Sequence, residues 1–191
     1  MITRATVIGL LTLTALIGGG DELAGVQSSE PTKFLRGLSG EWSVVAEARL
    51  GPGQDPVRTE SRETARLIGG RWLVAESSGT ARGAPFTSIL TLGYDDFAER
   101  FIGTWISGRQ AHLWSYRGTL DASSGSLVLE TEGPIHGDPT RTTRYREVIE
   151  LDGPDRKVVR SMILGPDGAW FEFQRAEFVR LGPAGLPGVE P

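Results

Sequence analysis

The 191-residue chain predicts an all-β fold, an antiparallel up-and-down barrel of about ten strands, and three observations lead there. From residue 41 to residue 181, apolar and polar residues alternate in short runs rich in Val, Ile, Thr and aromatics. Those runs are separated by Gly-, Pro- and Asp-rich turns, and no long amphipathic helical pattern interrupts them. Short turns force antiparallel neighbours, and closing the sheet on itself removes the two edge strands that would otherwise invite aggregation. A two-sheet sandwich fits the same spacing and remains the alternative architecture.

The expected strands are 41–50, 57–68, 71–79, 86–94, 99–107, 111–121, 125–132, 142–151, 156–164 and 169–180. In the first, Trp42, Val44, Ala46 and Ala48 share one face, bulky only at the tryptophan. Gly51-Pro52-Gly53 follows, and in 57–68 Arg58, Glu60, Arg62 and Arg66 mark the outer face. That leaves Val57, Thr59, Ser61, Glu63, Ala65 and Leu67 inside. Gly69-Gly70 and Asp95-Asp96 bound the next two strands. Reading Gly108-Arg109 as a two-residue type II′ loop pairs Ser107 with Gln110, Trp105 with His112, Gly103 with Trp114 and Phe101 with Tyr116. Gly103 would then make room for the Trp114 indole. Ser123-Ser124-Gly125 opens the seventh strand. In 142–151 the outer face carries Arg144, Arg146 and Glu150, and the inner face Thr143, Tyr145, Glu147, Ile149 and Leu151. Asp152-Gly153-Pro154-Asp155 and Gly165-Pro166-Asp167-Gly168 turn the chain into its last two strands. Glutamates among small residues on an inner face are costly unless paired or solvated, so this interior predicts a cavity more than a dry core.

Composition bounds the function. Twenty basic against 24 acidic residues give a net charge of -4, which argues against nucleic acid as a partner. Cysteine is absent, excluding disulfides, thiolate nucleophiles and sulfur-based metal sites. His112 and His136 are the two histidines, and His136 falls in a Gly/Pro-rich loop as a solvated residue. Arginine far outnumbers lysine and asparagine is missing, a bias read as genomic or compartmental ahead of an anion site. Residues 1–25 have a basic start, an apolar middle and small residues beyond it, the layout of a secretory signal, too short for a permanent span. The expected organisation is that signal, a linker over 26–33, a barrel domain over 34–181 and a disordered tail over 182–191. Export to the periplasm or beyond follows, with a cytoplasmic protein as the alternative if the start is retained.

Leu38-Ser39-Gly40-Glu41-Trp42 resembles the opening of calycin barrels, the lipocalin-like group. The resemblance implies that Trp42 plugs the closed end and that Arg175 or Arg180, from the last strand, packs across it. A longer resemblance covers Phe34 to Arg180. Its motifs include Thr91-Leu92-Gly93-Tyr94-Asp95, Phe101-Ile102-Gly103-Thr104-Trp105-Ile106, His112-Leu113-Trp114-Ser115-Tyr116 and Glu132-Gly133-Pro134. Tyr145-Arg146-Glu147-Val148-Ile149-Glu150 and Asp167-Gly168-Ala169-Trp170-Phe171-Glu172-Phe173 complete it. These are similar to the bacterial family called domain of unknown function 1579, which implies a barrel and no established activity; Phe171 departs from the family's usual polar residue.

The expected ligand-binding residues are His112, Trp105, Trp114, Tyr116, Tyr145, Glu147 and Glu63, around a small apolar or amphipathic molecule. Each has a plainer role open to it: a histidine held in an aromatic wall, rings that only pack, carboxylates paired to interior arginine or tyrosine. No catalytic residue, metal or cofactor is assigned. Nitrobindin-like barrels take haem on a C-terminal histidine, and the last two strands here contain none. Two other readings stand beside the binder: an isomerase or hydrolase using Glu147 or Glu63 with His112, and a structural envelope module.

Overall fold

The computed structural model describes residues 29–49, 51, 55–135 and 138–182. The expected signal segment, His136 and nearly all of the expected tail lie outside the described residues.

A nine-residue helix, α1 (Glu30–Leu38), comes first. Ser29 caps it by accepting the Thr32 amide at 3.4 Å, with Pro31 in the first turn, where a missing N–H costs nothing. Thr32, Phe34, Leu35 and Leu38 are buried, so the helix lays one face into the barrel's end. Residues 30–33, placed by the sequence pattern in a linker, are its first turn.

Ten strands follow: β1 (Gly40–Ala48), β2 (Val57–Ile68), β3 (Trp72–Ala81), β4 (Ala84–Asp95) and β5 (Arg100–Ser107). Then come β6 (Gln110–Leu120), β7 (Leu127–Ile135), β8 (Asp138–Leu151), β9 (Arg156–Leu164) and β10 (Trp170–Gly182). Each pairs antiparallel with its neighbours in sequence, and β1 closes the barrel on β10. The β3–β4 hairpin turns through Arg82 (φ 52) and Gly83 (φ 74), two left-handed residues whose twist matches that of the strands.

Burial alternates as the charge pattern predicts: in β2 the even positions are exposed, while Glu63 and Ala65 are buried. The β5–β6 register corrects the expected hairpin. Ser107 does face Gln110, but Trp105 faces Trp114, Gly103 faces Tyr116 and Phe101 faces Gly118, because β6 carries extra residues opposite Ile106. Gly108 lacks the positive φ that a II′ turn needs. Its N–H instead extends the β4 ladder by donating to the Thr87 carbonyl at 3.0 Å. Gly103 therefore makes no room for Trp114; a Cβ there would strike the Thr91 carbonyl.

The hydrocarbon core sits at the end covered by α1, around Leu35, Leu38, Leu73, Leu92, Phe101 and Leu127. Burying side chains of this size contributes about 1.5–3 kcal/mol each. The opposite half is hollow.

Candidate functional site

A cavity of about 1340 Å³ runs from above this core to the opposite rim. Leu38, Val44 and Phe178 meet it at the closed end, Leu90, Trp105, Trp114 and Tyr145 line its wall, and Arg49 and Arg109 stand at its mouth.

The closed end is held by a polar network around the C-terminus of α1. Arg180 lies over the Trp42 indole at 4.1 Å and donates to the carbonyls of Ser39 (2.6 Å) and Gly37 (3.0 Å). Of the two candidate arginines it is the one across the tryptophan; Arg175 faces outward and pairs with Glu177. Trp42 Nε1 donates to the Leu38 carbonyl at 3.1 Å. Lys157 Nζ reaches the same carbonyl at 3.5 Å and pairs with Glu63 at 2.6 Å, both residues being under a tenth exposed. Two cations at the negative end of a helix are favourably placed. Burial lowers the Lys157 pKa, and the Glu63 carboxylate beside it works in the opposite direction. Ser77 completes the shell of Glu63 at 3.1 Å.

Glu147 stands higher, in a different environment. The Ser161 hydroxyl, directly across from β9, donates to its Oε2 at 2.6 Å. No arginine or lysine pairs with it among the described residues. Burial raises its pKa to about 7, opposed only by the Ser161 hydrogen bond. The residue is walled in by protein yet keeps partial accessibility, because it faces the void. Tyr116, on β6, is pushed well above the usual phenol range by burial and then by the Glu147 charge.

An aromatic wall rises from there toward the rim. The rings of Trp114 and Tyr145 meet edge to face at 4.9 Å, and Tyr145 and Phe173 at 6.1 Å. Burial raises the Tyr145 pKa, and its hydroxyl donates to the Pro134 carbonyl at 2.8 Å. The glycine that admits the Trp114 ring is Gly133, where a Cβ would lie 2.6 Å from Cη2 of the indole.

Of the seven residues singled out from the sequence, Trp105, Trp114, Tyr116, Tyr145, Glu147 and Glu63 line the cavity. His112 does not: its ring meets Trp114 edge to face at 4.8 Å, with Nε2 buried, unpaired and next to Gly133. The two carboxylates are not a dyad. Their partners, Lys157 and Ser161, share one face of β9 four residues apart, about 13 Å along a strand. Lys157 and Ser161 themselves escaped the sequence reading. The alternation in 156–164 carries their signal, since it puts Lys157, Val159, Ser161 and Ile163 on one face and arginines on the other. Among the described residues, no group of three or more His, Asp or Glu side chains is placed to hold a metal ion. No helix among them is long and apolar enough to cross a membrane.

Solved structures share this architecture. Rv2717c from M. tuberculosis superposes with a TM-score of 0.56 at 14% identity, over 80% of this chain and 98% of that one. The S-type phycobiliprotein lyase CPES from Guillardia theta gives 0.51 at 15% identity, over 78% and 90%. At such identities the likeness is one of fold, that of lipocalin-like barrels. No curated protein matches the chain in sequence. The family model described as "Protein of unknown function (DUF1579)" matches residues 27–180, and with most of its length covered the chain belongs to that family.

Proposed function

We propose that the barrel binds an apolar or amphipathic small molecule in its cavity. The observation that carries this reading is the void itself: about 1340 Å³, walled by aliphatic and aromatic side chains with a few inward polar groups. Ligand sites are typically apolar clefts of roughly 300–1,000 Å³ with a small number of placed polar atoms. A purely structural barrel would gain stability by filling such a space, since empty apolar volume forfeits contacts. The similarity to the lyase and to the mycobacterial barrel contributes the fold alone.

Titration with Nile red, a neutral solvatochromic dye, tests the reading. Saturable one-to-one binding with a blue-shifted emission is the expected result. Leu90→Arg, which puts a long cation into the void, is expected to abolish it. Absence of saturable binding to the folded wild type would overturn the proposal.

The isomerase or hydrolase reading has one supporting observation, the Glu147 carboxyl whose pKa burial raises to about 7. Its other members are poorly placed: Glu63 is paired with Lys157, and the His112 ring packs on Trp114 and is not part of the cavity lining. For location, we propose export on the pattern of residues 1–25. Fractionation of the native host, with sequencing of the mature N-terminus, tests it.

A further inference from the structure

We propose that the molecule bound in the cavity carries a compact organic cation, a protonated amine or its like, seated against Glu147 with its apolar body along the aromatic wall. This rests on the reading of the barrel as a small-molecule binder and names the chemistry of what it binds.

The distribution of interior charge leads there. Lys157 is the cation of the closed end, and Glu63 neutralises it at 2.6 Å. That leaves Glu147 as a carboxylate without a counter-charge. A carboxylate offers about four acceptor sites, and the protein fills one of them, on Oε2. The groups facing it from the neighbouring strands are Leu129 on β7, Ser161 on β9 and Tyr116 on β6, with Tyr145 further up its own strand. None is cationic. Of the two rim guanidiniums, Arg109 is turned away, donating to the carbonyls of Ala81 and Ala84 at 2.9 and 3.4 Å, and Arg49 shares a recess at the rim with Glu47 and Glu172.

A carboxylate withdrawn from bulk water without a counter-charge is penalised, and a ligand cation offsets that penalty where a neutral ligand does not. The rings of Trp114, Tyr145 and Phe173 stand in a continuous run on the rim side of the carboxyl. Aromatic faces attract cations and also pack against alkyl chains. A carboxyl whose pKa burial raises to about 7 is readily ionised by an arriving cation. An anionic ligand would meet Glu147 as a like charge.

Displacement of Nile red at pH 7 by decylamine, decanol and decanoate decides the matter, because the three share one chain and differ in head group. Decylamine is expected to displace the dye at a concentration about tenfold below decanol, with decanoate weakest. Glu147→Gln is expected to bring decylamine to the level of decanol. Glu60→Gln, the same charge change on the exposed outer face, is expected to preserve the preference. Decanol or decanoate matching the amine on the wild type, or an amine preference that survives Glu147→Gln, would overturn the proposal. The wild-type order decides it even if the variant fails to fold, which circular dichroism would reveal. Dye that binds and is displaced without preference for the amine leaves the binder reading intact and sinks only this one. Dye that never binds sinks both.

Discussion

Glu63 and Glu147 are both inward carboxylates of one barrel, and their surroundings differ at every point. Glu63 lies at the end closed by α1, ion-paired to Lys157 and bonded to Ser77, beneath a helix end held by Trp42 and Arg180. Glu147 lies in the hollow half, with a single hydroxyl for a partner and void before it. The lower region is built for stability: every charge is answered, and the apolar side chains are packed to near-zero exposure. The upper region leaves volume and a carboxyl unsatisfied, which is how a binding site differs from a core.

The largest expected effect comes from breaking the lower pair. Lys157→Met leaves Glu63 buried and unpaired, and urea denaturation is expected to show a loss of about 3–5 kcal/mol. Combined with Glu63→Leu, much of that loss should return; a double variant no more stable than the single one would mean that the pair does more than neutralise itself.

Truncation sharpens the same contrast. Trp42→Ala, at a fully buried indole, should cost about 3–5 kcal/mol. Ile163→Ala, on the cavity wall where a void already exists, should cost less than about 1 kcal/mol in the same assay.

Stability as a function of pH reads out the upper carboxyl. The folded pKa of Glu147 lies above its ordinary value of 4.5, at about 7, so the native state holds a proton that the unfolded chain releases. Its contribution is fully present below pH 4.5, declines as pH rises through that window, and is gone above about 7. For a group facing a void the loss is on the order of 2 kcal/mol. Denaturation midpoints measured from pH 4.5 to 7.5 should fall more steeply for the wild type than for Glu147→Gln. Parallel curves would mean that the cavity is better hydrated than its walls imply.

The smallest effect tests the lid of the closed end. Ser29→Ala removes the cap of α1 and should lower stability by about 1 kcal/mol. Dye binding should stay unchanged, since Ser29, at the far end of α1 from Leu38, does not line the cavity.

Much of the barrel was readable in the chain because its period is two. Arginines at even positions of β2 and β8 mark the solvent face, and their partners at odd positions then point inward without knowledge of any neighbour. Helix α1 was not readable: nine residues with three large apolar side chains are too short for a 3.6-residue period to stand out. The extra residues in β6 were equally hidden, since a bulge answers to both strands of a pair, and they moved Trp114 from Gly103 to Gly133.

The sequence by itself determined an all-β chain, the course of its strands to within a few residues, and which side of β2 and β8 meets water, because alternation and turn chemistry are local properties. Only the tertiary structure decided which inward charges meet. Glu63 and Lys157 are 94 residues apart and become partners through closure of the barrel around them. Glu147 is left with Ser161 and open space by the same closure, because what surrounds a side chain in a barrel is set by strands on every side of it.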